Sequence, residues 1–114
     1  MSTRSQITTH ILDLGSGRPA VGVNVSLEQQ TEAGWRELGS GTTDTDGRIL
    51  DAFPLKVDTG TYRLIFDTQG YFQHHGQRCF YPSVTIAFCL DEADAHYHVP
   101  LLLNQWGYST YRGS

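Results

Sequence analysis

Cysteine is scarce in this chain, and its scarcity bears on how the fold is held together. Only Cys79 and Cys89 occur in 114 residues, which is too few for the disulfide framework of a small secreted protein. We therefore expect two free thiols in a reducing compartment. A chain of this length buries roughly 65% of its unfolded surface, so a core can form without covalent cross-links. The length predicts a single domain spanning residues 1–114.

Long apolar runs are also missing. No segment approaches the ~20 consecutive apolar residues of a membrane-spanning helix. The first four residues, MSTR, are polar, and no apolar stretch of a secretory signal follows them, so we expect a cytoplasmic location. The net charge of −4 and the pI of about 5.6 argue against nucleic acid or an anionic membrane as a partner.

Sequence motifs for covalent catalysis are absent as well. The chain contains no Gly-x-Ser-x-Gly segment, in which a strained turn exposes a nucleophilic serine. Neither cysteine lies in a recognisable catalytic context. A covalent intermediate on the protein is therefore not indicated.

What the sequence does contain is a series of short strand-forming segments. Twelve glycines separate runs rich in β-branched and aromatic residues, which predicts an all-β protein. Eight strands are predicted, and one short helix is expected over residues 70–76. Strands this short, with turns every 8–12 residues, are typical of a sandwich or a barrel. The predicted strands cover residues 7–14, 21–30, 35–43, 49–53, 61–68, 83–90, 97–103 and 108–112.

Side-chain alternation places several polar residues on the outer face of one predicted sheet. In the first strand, Ile7 and Ile11 form one face and His10 lies on the other. In strand 97–103, alternate apolar residues suit the core, so His98, Pro100 and Leu102 point outward; we expect a bulge or a missing hydrogen bond at the proline. If the first and the last two strands are neighbours, one outer face carries His10, His98, Ser109 and Tyr111.

The same outer face carries Leu12 and Leu102. Outer faces of sandwich sheets are normally polar and solvated. Leucines at these positions indicate that the face is covered, and a second subunit is the simplest cover.

Each candidate residue also has a purely structural interpretation. A single histidine on a strand, such as His10, is more often structural than functional. His96 and His98 share a face and could hold a metal, but no cysteine or carboxylate nearby completes a ligand set, so we expect no metal site. Arg48 follows a turn glycine and resembles the solvated arginine of an ordinary hairpin.

The C-terminal segment differs from the polar, frayed end of most chains. Residues 108–114 read YSTYRGS and follow the apolar run Leu101–Leu103, which is long enough to be a buried strand. The pattern predicts a docked tail. A docked tail would bring three groups close to a surface that another molecule can contact: the free carboxylate, Arg112 and Tyr111.

Four blocks of this sequence resemble one family. Residues 96–103 (HYHVPLLL) with 108–114 (YSTYRGS) closely resemble the C-terminal signature of the transthyretin-related 5-hydroxyisourate hydrolases. Residues 9–13 (THILD) with 17–20 (GRPA) resemble the family's first strand and turn, and 45–48 (TDGR) resembles its arginine-bearing turn. The resemblance covers nearly the whole chain, and the closing Tyr-Arg-Gly-Ser is its most specific part.

The resemblance implies a fold, an activity and an assembly. It implies a transthyretin-like sandwich of two four-stranded sheets with one short helix. It also implies hydrolysis of 5-hydroxyisourate, the unstable product of urate oxidation, to 2-oxo-4-hydroxy-4-carboxy-5-ureidoimidazoline, without a cofactor. The implied assembly is a homotetramer, a dimer of dimers, whose central channel holds the sites.

The resemblance further implies an active site made of His10, Arg48, His98 and the segment from Tyr111 to Ser114. We assign His10 and His98 to water activation and substrate orientation, and which of them is the base stays open. Arg48 supplies positive charge to the carbonyl oxygen that gains negative charge.

The tail residues receive roles of their own. Tyr111 is assigned to substrate binding. Ser114 orients a histidine or the water, through its hydroxyl or the terminal carboxylate, and Arg112 pairs with that carboxylate or reaches the substrate. Which of these alternatives holds stays open.

Two other functions are compatible with the same fold. One is a small-ligand carrier like transthyretin, which shares the sandwich but replaces His10, Arg48, His98 and the Tyr-Arg-Gly-Ser ending. The other is a non-catalytic sandwich module appended to a larger protein. The short chain without a linker argues against the second.

Overall fold

A computed structural model of the chain describes residues 4–114. Residues 1–3, part of the segment in which no secretory signal is expected, lie outside the described range. The elements in chain order are β1 (Ile7–Asp13), β2 (Arg18–Pro19), β3 (Asn24–Thr31), β4 (Gly34–Thr42), β5 (Arg48–Ile49), β6 (Gly60–Phe66), α1 (Thr68–His74), β7 (Val84–Leu90), β8 (Tyr97–Leu103) and β9 (Tyr108–Thr110).

Two sheets share one core, as expected for a sandwich. The first sheet has the order β2-β1-β8-β9, with β5 also paired to β1, and the second has the order β4-β3-β6-β7. β5 pairs with β1 at Thr9 and His10, and β2 pairs with it at Leu12 and Asp13. Because β2 and β5 follow one another along the same edge of β1, they occupy a single position. The predicted sandwich of two sheets is therefore confirmed. The first sheet has five strands rather than four, because two short strands share one edge of β1.

Side-chain alternation builds the core from the inner faces of both sheets. The alternate residues predicted to face inward from β1 and β8 are buried. The inward-facing apolar residues of β3, β6 and β7 are buried as well, apart from the half-buried Phe88. Burial of these apolar side chains is the main source of stability in a protein of this size. They include Ile7, Ile11, Val99, Leu101 and Leu103 from the first sheet and Val25, Leu27, Leu64, Phe66, Val84 and Ile86 from the second.

Several element boundaries differ from the predicted ones. The second long strand begins at Asn24, because Val21 and Gly22 form a turn in which Gly22 has a φ of 82°. Of the predicted strand 49–53, only Ile49 lies in a strand, as the last residue of β5. The helix begins at Thr68, two residues early, because the Asp67 carboxylate caps it by accepting a hydrogen bond from the Gly70 N–H at 3.0 Å.

The turn that precedes β5 is held by Asp44 and Gly47. The Asp44 carboxylate accepts hydrogen bonds from the backbone N–H groups of Asp46 at 2.8 Å and Arg48 at 3.0 Å. Gly47 has a φ of 74°, and its carbonyl accepts the Ile11 N–H at 2.8 Å. The turn is therefore both closed on itself and attached to β1.

We expect Gly47→Ala to destabilise the protein more than Gly17→Ala. Both glycines have a positive φ, of 74° and 72°, so both alanines carry a conformational cost of about 1–2 kcal/mol. At position 47 the new Cβ also lies 2.5 Å from the Ile11 carbonyl oxygen, whereas at 17 it meets no described atom within 4 Å. Overpacking adds about 1–3 kcal/mol at position 47 only. Denaturant unfolding of the two variants measures the difference, and equal losses would contradict it.

Candidate active site

The outer face of the first sheet brings together three of the residues predicted from the sequence. His10 of β1 lies directly opposite Arg48 of β5, and Thr8 of β1 lies directly opposite His98 of β8. Residues directly opposite each other on paired strands project from the same face. His10, Arg48 and His98 therefore share the outer face around β1, and the first and last two long strands are neighbours as expected.

Arg48 is positioned by the turn that ends at it. Its backbone N–H donates to the Asp44 carboxylate at 3.0 Å, and its carbonyl accepts the Asp44 N–H at 3.0 Å. The side chain is half-buried. Arg48 is thus held more firmly than the solvated hairpin arginine that the sequence also allowed.

His10 is half-buried beside this turn, and its environment lowers its pKa. Burial is the largest cause, and the positive charge of Arg48 adds to it. A hydrogen bond to the Asp46 backbone and the charges of Asp44 and Asp46 act in the opposite direction. Because the pKa falls below its ordinary value of about 6.5, His10 is mainly neutral at pH 7.

His98 is half-buried too, and its pKa is also lowered. Burial is again the largest cause, followed by the positive charges of Arg48, His96, His10 and Arg4. A neutral imidazole can accept a proton, so the face presents two candidate bases next to the permanent positive charge of Arg48.

Thr8 connects two histidines and was not among the residues selected from the sequence. It is fully buried, and its hydroxyl lies 2.8 Å from Nδ1 of His98 and 3.0 Å from Nε2 of His96. The only indication in the sequence that Thr8 belongs to the site is its position two residues before His10, which places both side chains on the same face of β1. The hydroxyl position became informative only with the parallel register of β1 and β8.

His96, which directly precedes β8, and His98 of β8 lie side by side, as their spacing predicts. Their rings are stacked, with centroids 6.3 Å apart and an interplanar angle of 20°. Across residues 4–114, no group of three or more His, Cys, Asp or Glu side chains is arranged to hold a metal ion. Metal-independent chemistry stays a prediction.

The tail is docked against His98. Pairing between β8 and β9 stops at Leu101 and Thr110, and it resumes as a single bridge between His98 and Gly113, so the ladder is interrupted at Pro100. The interruption agrees with the missing hydrogen bond expected at Pro100. On the other side of β8, the pairing with β1 continues through Pro100 without a bulge. The sheets do contain one register shift, between β3 and β4 at Leu27/Glu28.

Gly113 packs so closely that no side chain fits. Its N–H donates to the His98 carbonyl at 2.8 Å. A Cβ at position 113 would lie 2.6 Å from Cδ2 of His98 and 3.1 Å from Cγ of Pro100. The Gly113 backbone therefore forms one wall of the space around the His98 ring.

The other predicted tail residues are more exposed. Tyr111 is 57% exposed and borders a groove of about 350 Å³ between the tail and β7. The Arg112 guanidinium lies 4.3 Å from the centroid of the Tyr97 ring, with Nη2 3.5 Å from the His96 carbonyl. Ser114 is exposed and directly follows Gly113. The structure thus places Gly113 against His98 and the Arg112 side chain against Tyr97.

A sequence model described as the HIUase/Transthyretin family matches residues 7–113. The chain belongs to this family. The 5-hydroxyisourate hydrolase of Salmonella dublin is 49% identical over 109 residues, which cover 95% of this chain and 80% of that protein.

Solved structures of the HIUase/Transthyretin family include both kinds of protein considered from the sequence. The transthyretin of Sparus aurata superposes with a TM-score of 0.90 at 31% identity, covering 96% of this chain and 97% of that one. The Klebsiella pneumoniae 5-hydroxyisourate hydrolase superposes with a TM-score of 0.80 at 36% identity, covering 95% and 92%. Backbone similarity confirms the transthyretin-like fold but does not separate a hydrolase from a carrier.

We expect His98 to titrate below its ordinary pKa of about 6.5, and Arg48→Ala to raise that pKa. The reason is that the variant removes one of the positive charges that disfavour imidazolium at this position. In the wild-type protein the lowered pKa means that the unfolded chain binds a proton at His98 more readily than the folded chain does. The contribution of His98 to the free energy of unfolding is therefore fully present above about pH 6.5 and is lost as the pH falls. NMR titration of the imidazole signals measures the shift.

Arg36→Ala is the matched control for this titration. Arg36 lies on β4 of the other sheet, where its guanidinium bonds to Gln29 at 2.8 Å. Its removal should leave the His98 pKa unchanged. An unaltered His98 pKa in Arg48→Ala would show that the two side chains do not interact.

Proposed function

We propose that this chain is a 5-hydroxyisourate hydrolase, acting in urate degradation. The observation that carries the proposal is the single outer face on which Arg48 of β5, His10 of β1 and His98 of β8 lie together. The names of the curated relatives support it, since they include hydrolases from Salmonella dublin and, at 44% identity over the full length of both chains, from Mus musculus.

The proposed reaction is attack of water on a ring lactam, which opens the six-membered ring. A histidine with a lowered pKa takes the proton of the attacking water. Thr8 occupies Nδ1 of His98, which leaves Nε2 as the nitrogen for this transfer. We therefore assign the base role to His98, and we assign substrate orientation to His10, whose ring bonds to the Asp46 backbone.

Arg48 stabilises the negative charge that forms on the carbonyl oxygen. A cation fixed beforehand near that oxygen needs little reorganisation during the reaction, which is why such groups contribute strongly to rate. The turn held by Asp44 fixes the backbone of Arg48, and the register with β1 directs its side chain to the face of His10. The positive charge of Arg48 also stabilises the carboxylate that forms in the product.

The tail contributes the remaining parts of the proposed site. We assign Tyr111 to substrate binding, and Ser114, by hydroxyl or terminal carboxylate, to orientation of His98 or the water. The contact of Gly113 with His98 supports this, because it brings the last residue of the chain next to the base. Arg112 remains a candidate for substrate binding or for pairing with the terminal carboxylate, and its stacking on Tyr97 favours a role in holding the tail.

A carrier function without catalysis is the second candidate. It is favoured by one observation, the higher structural similarity to a transthyretin than to a hydrolase. The carrier predicts binding of a small ligand and no conversion of 5-hydroxyisourate. The assay described below separates the two functions.

We propose a homotetramer, a dimer of dimers, as the active assembly. Leu12 and Leu102 lie opposite each other on the same outer face as the histidines, and each is half-buried within one chain. A partner covering this face would bury both leucines and exclude water from the site. β7 and β9 are at edges of the two sheets and are available for pairing between chains.

We propose a cytoplasmic location and no cofactor. Both cysteines, Cys79 and Cys89, are free thiols in the structure, which agrees with a reducing compartment. Within residues 4–114, no helix is both long and apolar enough to cross a membrane.

The decisive experiment follows the absorbance of freshly prepared 5-hydroxyisourate with and without the protein. We expect the wild-type protein to accelerate its decay and Arg48→Ala to lose roughly 10²-fold or more of kcat/KM, the scale of one charge-stabilising group. Arg48→Lys should also be impaired, because the ammonium lacks the planar fork of guanidinium. Arg36→Ala is again the control and should retain wild-type turnover.

Two outcomes would contradict these expectations. Decay at the uncatalysed rate with wild-type protein would exclude the hydrolase function, and normal turnover in folded Arg48→Ala would remove Arg48 from the mechanism.

We expect deletion of residues 112–114 to abolish most activity while the tetramer and the fold persist. The deletion removes one backbone hydrogen bond to His98 and the contact of Arg112 with Tyr97, so the melting temperature should change by a few degrees at most, for a loss of ~1 kcal/mol. Light scattering should give the mass of four chains for both proteins. A fully active truncated protein would show that the tail is structural, and an active monomer would contradict the assembly.

A further inference from the structure

The fully buried hydroxyl of Thr8 lies between two histidines, one facing the site and one exposed. We propose that Thr8 and His96 are positioning residues that form a proton relay with His98. The proposal rests on the proposed hydrolase function for its substrate, but the relay itself is defined by the hydrogen bonds of this chain alone.

The geometry couples the two imidazoles through one proton. The Thr8 hydroxyl lies 2.8 Å from Nδ1 of His98 and 3.0 Å from Nε2 of His96, and it has one proton to donate. If it donates to His96, then Nδ1 of His98 must carry a proton and donate to Thr8. If it donates to His98, then Nε2 of His96 must carry the proton. The two facing nitrogens of the neutral histidines are therefore in opposite states.

Only the first arrangement makes His98 a base towards the site. With its proton on Nδ1, neutral His98 has a lone pair on Nε2, which can accept a proton from water. The proposed relay uses this arrangement, in which His98 donates from Nδ1 to Thr8 and Thr8 donates to Nε2 of His96. In serine hydrolases a buried carboxylate orients the catalytic histidine through Nδ1; here a neutral hydroxyl and a second histidine occupy that place.

The relay also moves charge during the reaction. When Nε2 of His98 takes the water proton, the Nδ1 proton passes to Thr8 as the Thr8 proton passes to Nε2 of His96. The positive charge is then on His96 and the hydroxide oxygen is bonded to the lactam carbon. When the C–N bond breaks, the shift reverses, and Nε2 of His98 gives its proton to the departing ring nitrogen. All three residues end in their starting states, and the water proton resides on the product nitrogen.

Electrostatics favour this transfer away from the site. His98 is half-buried and lies near Arg48 on β5, His10 on β1, His96 just before β8 and Arg4 before β1, all of which disfavour a positive charge on His98. His96 is exposed and borders a surface cavity of about 400 Å³. The charged residues of that cavity are Arg4, Lys56 and Asp94, the last two joined by a 2.9 Å ion pair. Water therefore reaches His96, which stabilises the imidazolium while the intermediate exists.

Substitutions at Thr8 separate the hydroxyl from the packing. Thr8→Val keeps the shape and removes the hydroxyl, and Thr8→Ser keeps the hydroxyl. We expect Thr8→Val to lower kcat for 5-hydroxyisourate by about 10- to 100-fold with little change in KM, because part of a general acid–base contribution of 10²–10⁴ is lost. Thr8→Ser should stay within about threefold of wild type. Wild-type kcat in Thr8→Val would overturn the relay.

Substitution of His96 tests the second half of the relay in a residue that is not needed for folding. His96→Ala should lower kcat by about 10-fold, and added imidazole should restore part of it by taking the vacant place. His74→Ala, at the exposed end of α1, is the matched control and should have no effect. Loss of activity in His96→Ala that imidazole does not restore would indicate a structural role only.

Nitrogen NMR of the histidines tests the relay without any substrate. At a pH where both rings are neutral, we expect Nδ1 of His98 to be protonated and Nε2 of His96 to be unprotonated, and this relation should disappear in Thr8→Val. An unprotonated Nδ1 of His98 in the wild-type protein would overturn the proposal. If the protein does not hydrolyse 5-hydroxyisourate, the kinetic variants are all silent, but this spectroscopic result still decides whether the relay exists.

Discussion

The arrangement of this protein depends on the register of β1 against its two neighbours. β1 runs parallel to β8 over seven pairs, from Ile7–Tyr97 to Asp13–Leu103, and pairs with β5 on its other side. A shift of one residue in either pairing would move every side chain of one strand to the opposite face. The same register that buries Ile11 against Leu101 therefore also brings His10, His98 and Arg48 to one surface. Core packing and site assembly are two consequences of a single constraint.

The degree of burial on this surface sets its chemistry. A fully exposed histidine would be half-protonated near pH 6.5, and a fully buried one would lack access to substrate. His10 and His98 are between these limits, and the positive charge of Arg48 lowers both pKa values further. The Asp44 turn, with Gly47 in the left-handed region, fixes the backbone of the arginine that carries this charge.

The backbone alone does not reveal which function the family member performs. A transthyretin superposes on this chain at least as well as a hydrolase does. The sandwich is a scaffold whose outer face is built by a few side chains, and small changes there alter the activity without affecting the core. Function must therefore be argued from His10, Arg48, His98 and the tail, together with the buried Thr8, which connects β1 to His96 and His98.

Alternation along the chain was enough to predict the most regular strands and the faces of their side chains. The prediction of strands 83–90 and 97–103 and of the outward position of His98 rests on a period of two, because alternating apolar residues are stabilised only when one face is buried. Which residues of different strands meet depends instead on the tertiary structure. The bond from Thr8 to His98, the approach of Gly113 to that ring and the stacking of Arg112 on Tyr97 join residues 90, 15 and 15 positions apart. Such contacts depend on strand order and register, which local patterns do not encode.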